Sequence, residues 1–423
     1  MKPSLNSKFS AVLIMTFIIL FTGCTGDQAT PESSPTEELI LFSPTPSPSP
    51  TPSPTPSPMP SPTPSPMPSH TPMGREDLLS FLRTRAELTP NNIDQIELLG
   101  EIYLDSEEHP FQYHAWSENG DWLAICYPGS SDVFRIYHLE DFQSISTIDS
   151  IEYDEFDSLD CGIERGPRAQ SVVFSRDGDL IAIPYGNGHA IYQTSTGTLV
   201  SELDYYLPAL LEQIAFSSQS TRIAAGFYYY RALTSFEKPR NEVHLFDTQS
   251  GEHWGIFQKK TYWYLTDLEY STEGEYLLTA GWEGVEAWSV DGGQLPLVPC
   301  RNAEITFSPI EETTALTCRP DDDHENWRQL IWNLTSDEII EMESVSNNQI
   351  VELMYSSDGE LLIGYTDNGQ IYAWETEHGN HLVNLENGVG HLIDVSFILN
   401  SKAIAILNTG GQVTIYGLSG ENQ

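Results

Sequence analysis

Residues 355–386 read YSSDGELLIGYTDNGQIYAWETEHGNHLVNLE and describe most of a small antiparallel sheet. Ser357-Asp358-Gly359 and Asp367-Asn368-Gly369 have the composition of hairpin turns, and runs of strand length lie between them. Val351–Tyr355 supplies one more strand just upstream. Because about four short strands cannot bury an apolar face alone, the stretch predicts a unit that is repeated elsewhere in the chain.

The repeats begin at an aromatic residue, which in most copies is followed by Ser and a polar turn. We call these seven residues the anchor aromatics: Trp116, Phe174, Phe216, Tyr270, Phe307, Tyr355 and Phe397. Each is followed by an apolar–aromatic pair before a second turn, as in AIYQTSTG and IYAWETEHG. A period near 40–45 residues with about four strands per unit is typical of a β-propeller blade.

The two ends of the repeat region complete one another. After Tyr416 only Gly417–Gln423 remain, which is too short for a fourth strand, whereas Ile96–Leu104 reads as a strand without a unit of its own. Closure by pairing the two chain ends would remove free sheet edges. The sequence therefore predicts an all-β fold, a seven-bladed propeller over residues 92–423, closed by its N-terminal strand.

This region resembles the WD40-repeat propellers in its period, its strand order and its Ser-Asp-Gly turns, as in Phe174–Gly178. The resemblance is degenerate. Gly390-His391 matches the Gly-His dipeptide of that family, and Phe246-Asp247 is the nearest approach to its Trp-Asp dipeptide.

The N-terminus carries an export signal. Ala11–Phe21 is an apolar run behind two lysines, too short for a membrane span of about 20 residues but suited to a secretory signal peptide over residues 1–23. Phe21–Cys24 resembles a bacterial lipobox, which implies cleavage before Cys24 and its lipidation. The alternative is an ordinary signal peptide with a chance cysteine. We expect the protein to be anchored by lipid to the extracytoplasmic face of the cell membrane. In a two-membrane envelope it would face the periplasm.

A spacer and a short helix precede the repeats. Residues 24–73 form a linker whose Ser43–Pro72 segment alternates Pro with Ser and Thr, a composition that predicts a disordered, extended polyproline-type chain. At about 3.1 Å per residue this segment reaches up to roughly 90 Å. Within residues 74–91, Arg75–Glu87 has apolar residues at helical spacing, which predicts a helix packed on the propeller.

The chain is strongly acidic, with 61 Asp and Glu against 19 Lys and Arg. Residues 1–73 hold two of the basic and four of the acidic residues, which leaves a net charge of −40 on residues 74–423. Nucleic acid is thereby excluded as an expected partner, because binding to phosphates needs positive charge. The charge favours basic partners, and its alternative explanation is general solubility.

Four cysteines remain beyond Cys24. Cys300 and Cys318 flank one predicted hairpin, and Cys126 lies within reach of Cys161 in the segment after the first blade. Outside the cytoplasm an even number permits disulfides, and we expect these two pairs.

Long aromatic loops lie around the third blade, on the face where the connections between blades meet the loops between second and third strands. We call their aromatic residues the loop aromatics: Tyr205, Tyr206, Tyr228, Tyr229, Tyr230, Tyr262, Trp263 and Tyr264. Such side chains are favoured at partner surfaces, and their rings stack on sugars. The sequence leaves open whether they bind a partner or cover the junctions between blades.

Acidic loops at Asp321–His324 and Tyr153–Glu164 offer oxygen atoms of the kind that hold calcium, but they lack the spacing of a calcium-binding loop. We expect solvated acidic loops, no metal and no cofactor. Motifs of hydrolases and phosphate-binding loops are missing as well, so no catalytic residue and no enzyme activity are predicted. The expected function is a non-catalytic platform for a protein or peptide, and the acidic charge favours a basic one. The alternative is a propeller that binds or processes glycans.

Overall fold

The computed structural model describes residues 75–104, 113–127, 133–140, 142–149, 172–185, 188–205, 210–229, 240–259, 265–289, 293–320, 327–345, 349–385, 392–409 and 411–419. Over these ranges the chain forms seven small antiparallel sheets, arranged as the blades of a β-propeller. The predicted fold class is therefore confirmed. The predicted signal peptide, Cys24 and the spacer lie outside the described residues.

One helix and one strand precede the first blade. They are α1 (Arg75–Arg83) and β1 (Glu97–Tyr103), with a short 3-10 turn at Ile93–Gln95 between them. Blade 1 contains β2 (Tyr113–Trp116), β3 (Trp122–Tyr127), β4 (Val133–His138) and β5 (Gln143–Asp149). Blade 2 contains β6 (Val173–Phe174), β7 (Leu180–Tyr185), β8 (Gly188–Gln193) and β9 (Thr198–Leu203). Blade 3 contains β10 (Leu210–Phe216), β11 (Arg222–Tyr229), β12 (Arg240–Asp247) and β13 (His253–Lys259).

The second half of the ring follows the same order. Blade 4 contains β14 (Leu265–Tyr270), β15 (Tyr276–Gly281) and β16 (Gly284–Ser289). Blade 5 contains β17 (Cys300–Phe307), β18 (Thr313–Pro320), β19 (Arg328–Asn333) and β20 (Glu338–Glu341). Blade 6 contains β21 (Ile350–Tyr355), β22 (Leu361–Thr366), β23 (Ile371–Glu375) and β24 (His381–Leu385). Blade 7 contains β25 (Leu392–Ile398), β26 (Ala403–Asn408) and β27 (Gln412–Gly417), and β1 is its outermost strand.

The ring is closed as the sequence predicts. Strand β1 pairs antiparallel with β27, with Ile102 opposite Val413 and Glu97 opposite Gly417. The first strand of the repeat region thus completes the last blade, and hydrogen bonds join the two chain ends.

Each blade covers the apolar face of the next. Seven buried clusters occupy the seven junctions, and each draws its side chains from two neighbouring blades. Between blades 6 and 7, for example, Ile363 and Tyr365 pack with Phe397 and Ile406. The sheet of residues 355–386 is therefore covered by blade 7 on one face and by blade 5 on the other.

Blade 4 departs from the predicted four strands. Its fourth position is held by an irregular segment, in which Val298 exchanges two backbone hydrogen bonds with Val285 and Leu295 N–H donates to Ala287 O. Pro296 and Pro299 lie in this segment. Because proline has no N–H to donate, a regular ladder cannot form there.

In five of the seven blades, the turn after the anchor aromatic is held by the serine that follows it. Ser356 Oγ accepts a hydrogen bond from Leu361 N–H at 2.9 Å and donates to Asp358 Oδ1 at 2.6 Å. Gly359 closes the turn at φ +73°, a conformation that side chains rarely adopt. The equivalent serines that accept from the residue five positions on are Ser117, Ser175, Ser217 and Ser271.

The helix lies over the closing junction. Leu78 and Leu82 are fully buried there, in one cluster with Ile102 and Leu407. The helix ends at Arg83, earlier than the predicted Glu87. The backbone N–H groups of Thr84 and Arg85 donate to carbonyls three residues earlier, rather than four as in an α-helix. The chain then inserts Leu88 at the junction of blades 6 and 7, where its N–H donates to Ser401 O.

A pair of alanine substitutions in β1 tests whether this strand closes the ring. Ile102 is 2% exposed and packs in the closing junction, whereas Leu98 on the same strand is 44% exposed. We expect Ile102→Ala to lower the free energy of unfolding by about 2–4 kcal/mol, as is usual for a truncated core residue. Leu98→Ala should change it by less than about 0.5 kcal/mol. Urea unfolding followed by circular dichroism measures both. Equal, small effects would show that β1 is not packed in the ring.

Candidate functional site

The first strands of the blades surround a central channel. It contains a cavity of about 380 Å³ that extends along these strands from the connections between blades to the serine turns. We call its two ends the loop face and the turn face. Because side chains alternate along a strand, the residues one position before the anchor aromatics point toward the channel, and in blades 3 to 7 so do the residues three positions before them. Residues two positions before it point into the junctions, as the buried Leu268 and Leu353 do.

Acidic residues recur at the position nearer the loop face. Five successive blades carry a carboxyl or amide three residues before the anchor aromatic. We call this set the loop-side level: Gln213, Asp267, Glu304, Glu352 and Asp394. Each follows a break in the register of the first strand, which is thus a repeated feature of the blades. The channel is acidic at its loop-side end.

Asp267 links blade 4 to blade 5. Its Oδ1 accepts from Leu268 N–H at 2.7 Å, and its Oδ2 accepts from Ile305 N–H of the next blade, also at 2.7 Å. Burial raises the pKa of Asp267 to about 6, against the lowering effect of these two hydrogen bonds. This carboxyl is therefore both a structural link and a group that titrates near neutral pH.

Asp394 makes the corresponding link from blade 7 to blade 1. Its Oδ1 accepts from Val395 N–H at 2.7 Å, and its Oδ2 lies 2.9 Å from His114 Nε2. This contact lies across the same junction that β1 closes.

Glu352 is surrounded by protein and yet remains accessible to water in the channel. Its Oε2 accepts a hydrogen bond from the Tyr365 hydroxyl at 3.5 Å. Burial raises the pKa of Glu352, and the neighbouring carboxylates Asp394, Glu304 and Asp267 raise it further. The channel thus holds carboxyls that repel one another.

Glu269 lies deeper, one residue before its anchor aromatic. At this level, which we call the turn-side level, its neighbours around the channel include the apolar Val173, Ala215 and Met354. Its Oε2 is buried without a hydrogen-bond partner. Burial raises the pKa of Glu269 well above its usual range, and Glu118 and Asp267 add to the effect while Arg176 opposes it.

Arg176 crosses the turn-face end of the channel. Its guanidinium nitrogens lie 3.1 Å from Glu118 Oε2 in blade 1 and 3.2 Å from Ser308 O in blade 5. A side chain of blade 2 thus spans the turn-face end of the channel and narrows it.

The loop aromatics are divided by the structure. Tyr205 is buried at the junction of blades 2 and 3, with its ring centroid 5.0 Å from that of Phe227 and 5.3 Å from that of Phe246. Junction packing, the alternative that the sequence left open, accounts for this residue. Tyr228 is half-buried, and Tyr229 lies with its hydroxyl 3.3 Å from His244 Nε2. Tyr206, Tyr230, Tyr262, Trp263 and Tyr264 lie outside the described residues.

The structure joins Cys300 and Cys318 by a disulfide, with their Cα atoms 5.4 Å apart across the hairpin of β17 and β18. Cys126 is also in a disulfide. Cys161, its expected partner, lies outside the described residues.

The two acidic loops, Asp321–His324 and Tyr153–Glu164, also lie outside the described residues. Within the described part, no group of three or more His, Cys, Asp or Glu is placed to hold a metal ion. No helix in that part is long and apolar enough to cross a membrane.

Sequence reasoning missed the channel carboxylates. Counting back from the anchor aromatics places Asp267, Glu304, Glu352 and Asp394 at one position of successive repeats, which was the available signal. Their convergence on one cavity became visible only with the ring assembled.

The chain is thus a seven-bladed β-propeller with a carboxyl-lined channel. No protein-family model matches it, and the search of curated proteins gave no match. Its relation to WD40 propellers rests on the repeat pattern and stays a prediction.

Replacing Glu269 by Gln tests the electrostatics of the channel. Because folding raises the pKa of this carboxyl, the folded state favours its protonated form, and stability falls as pH rises above the unfolded value of 4.5. Glu269→Gln should reduce that fall between pH 5 and pH 8. We therefore expect the variant to gain stability relative to the unmodified protein as the pH rises, with the largest gain at pH 8. Thermal unfolding across this range measures it.

Glu338→Gln is the matched control, because this glutamate is exposed on the outer strand β20. The plot of its stability against pH should run parallel to that of the unmodified protein. If the Glu269→Gln curve also runs parallel, Glu269 is not buried in the channel as described.

Proposed function

We propose that the protein is a non-catalytic binding platform, and that a protein or peptide with basic groups docks on its loop face over the channel. The observation that carries this proposal is the charge of the channel. Among the described residues that line it are six carboxyl side chains, one arginine and one histidine, and both the arginine and the histidine contact channel carboxylates. Such a concave acidic site favours cationic groups.

The surroundings of the channel support the same partner. Residues 74–423 carry a net charge of −40, so their field attracts basic surfaces and repels nucleic acid and anionic lipid. The half-buried Tyr228 lies opposite Leu210, at the loop-face end of β10 and β11. Tyrosines of this kind give large contact area to a partner protein.

Glycan binding is the second candidate, because the faces of the loop aromatics stack on sugar rings. It does not require the acidic channel. The two candidates therefore differ in whether charge or aromatic surface controls binding.

We propose further that the propeller is exported and held at a membrane by a lipidated Cys24. The apolar run before this cysteine supports export, and the proline-rich segment would supply the distance from the membrane. The disulfide between Cys300 and Cys318 is in keeping with an oxidising compartment.

Affinity capture with matched variants tests the platform. The full chain would be immobilised and exposed to envelope extract from the source organism, beside the double variant Tyr228→Ala with Glu352→Gln. We expect a protein that is retained by the unmodified chain and at least about tenfold less by the variant, because central contacts of an interface dominate its affinity.

The control is Trp254→Ala with Glu338→Gln, which makes the same kinds of change on exposed outer strands. It should retain the protein in full. Equal retention by both variants would place the interface away from the loop face. If no protein is retained and soluble glycans raise the melting temperature, the glycan candidate replaces the platform.

A further inference from the structure

Two arginines of blade 5 lie opposite one another at the loop face. Arg301 on β17 is the register partner of Arg319 on β18. Side chains of such a pair leave the same face of the sheet, with their Cβ atoms about 5 Å apart. Like charges in this position repel one another and destabilise a sheet. An acceptor that binds both guanidinium groups would therefore stabilise the hairpin.

Each guanidinium group lies over the ring of a tryptophan. Arg301 Cζ is 5.0 Å from the ring centroid of Trp282, which lies in the turn between β15 and β16 of blade 4. Arg319 Cζ is 4.7 Å from the ring centroid of Trp327, the residue before β19. Stacking of this kind holds the flat face of a guanidinium group and leaves the N–H groups at its edge able to donate. We call these four residues the Arg–Trp cluster.

The disulfide ties the two arginine positions together. Cys300 and Cys318 directly precede Arg301 and Arg319 in the chain, and both cysteines are buried in the junction of blades 4 and 5. The covalent link holds the two strands in place before any ligand binds. Such preorganisation lowers the entropy cost of binding.

The cluster is accessible to a partner. Arg319 is exposed and Arg301 is half-buried, while 38% of Trp282 and 7% of Trp327 are exposed. Arginine and tryptophan are among the residue types most enriched at the positions that dominate the affinity of protein interfaces. The composition of the cluster therefore favours a protein or peptide as its ligand.

A carboxylate is the acceptor that matches two arginines. The planar fork of a guanidinium group donates to both oxygens of a carboxylate at once. Polyanions such as acidic glycans are disfavoured, because residues 74–423 carry a net charge of −40 and repel them. One carboxylate on an otherwise basic partner avoids most of this repulsion, since exposed charges more than about 8 Å apart are largely screened at physiological salt.

We propose that Arg301 and Arg319 bind one carboxylate of a peptide, either its C-terminus or an Asp or Glu side chain. This rests on the proposed function and deepens it, because it names a second contact of the partner on the loop face. The partner then presents basic groups to the channel and an acidic group to blade 5.

Fluorine NMR of the full chain labelled with 5-fluorotryptophan tests the site, with Trp282→Phe to identify the signal of Trp282. The peptide probes are N-acetyl-alanine and N-acetyl-aspartic acid amide, with N-acetyl-alanine amide as the uncharged match. Glucuronate and glucose are the corresponding sugars. We expect at least one peptide carboxylate to shift the Trp282 signal in a saturable way, and the uncharged amide to leave it in place.

Variants of the arginines locate the binding. Arg319→Gln should weaken it at least about tenfold, and Arg319→Lys should weaken it less, because lysine keeps the charge but loses the fork. Arg301→Gln should also weaken it while the melting temperature stays equal or rises, because the repulsion within the pair is removed. The matched control is Arg328→Gln, an arginine of the same hairpin that contacts Glu341 and should not affect binding.

The proposal is overturned if no peptide carboxylate shifts the signal, or if Arg319→Gln binds as tightly as the unmodified chain. Tighter binding of glucuronate than of both peptide probes would assign the cluster to an acidic sugar instead. Binding that appears only when Asp321, Asp322 and Asp323 are replaced by Asn would assign the arginines to the chain's own acidic loop.

Failure of this site and failure of the platform are distinguishable. A protein retained on the loop face without carboxylate binding would leave the platform standing and contradict the arginine site. Carboxylate binding without a retained protein would support the arginine site and contradict the platform.

Discussion

The contact between the apolar faces of neighbouring blades is the interaction on which this structure depends. A four-stranded sheet has two faces and is too small to be stable alone, so each blade needs a neighbour on either side. The seven buried clusters show that every junction is filled, including the one between the last blade and the first. At that junction the covering side chains come from both ends of the repeat region, with Leu78 of the helix and Ile102 of β1 beside Leu407. Closure of the ring is thus a condition for all seven blades.

The same geometry creates the channel and its charge. Packing seven wedge-shaped sheets leaves a space along the axis, and the first strands turn alternate side chains into it. Carboxyls there lie close together and are surrounded by protein, which raises the pKa of Asp267, Glu269 and Glu352. Asp267 and Asp394 use part of this charge to hold adjacent blades together. Glu269 makes no such contact through Oε2, which is buried without a hydrogen-bond partner in the described structure.

Much of the fold could be predicted because local turn chemistry and strand alternation point to the same repeat. Ser356 and Gly359 are residue types that predict a turn, and they form one in the structure. The alternation of apolar residues over Ile96–Leu104 predicts a strand, and this segment contains β1. The irregular fourth strand of blade 4 was missed because counting the repeats from their aromatic residues takes no account of Pro296, which has no backbone N–H to donate. The site was harder to predict. Tyr205 shows that aromatic residues serve junctions as well as surfaces, and the channel acids are far apart in sequence, so that only the assembled ring reveals them as one group.

Hydrogen–deuterium exchange of the full chain would test the central claim most directly, that pairing of β1 with β27 closes the ring on which all seven blades depend. The account predicts that the amide groups of β1 that are hydrogen-bonded to β27 exchange as slowly as those of the outer strands of the other blades. Fast exchange of β1 while the other blades stay protected would contradict it.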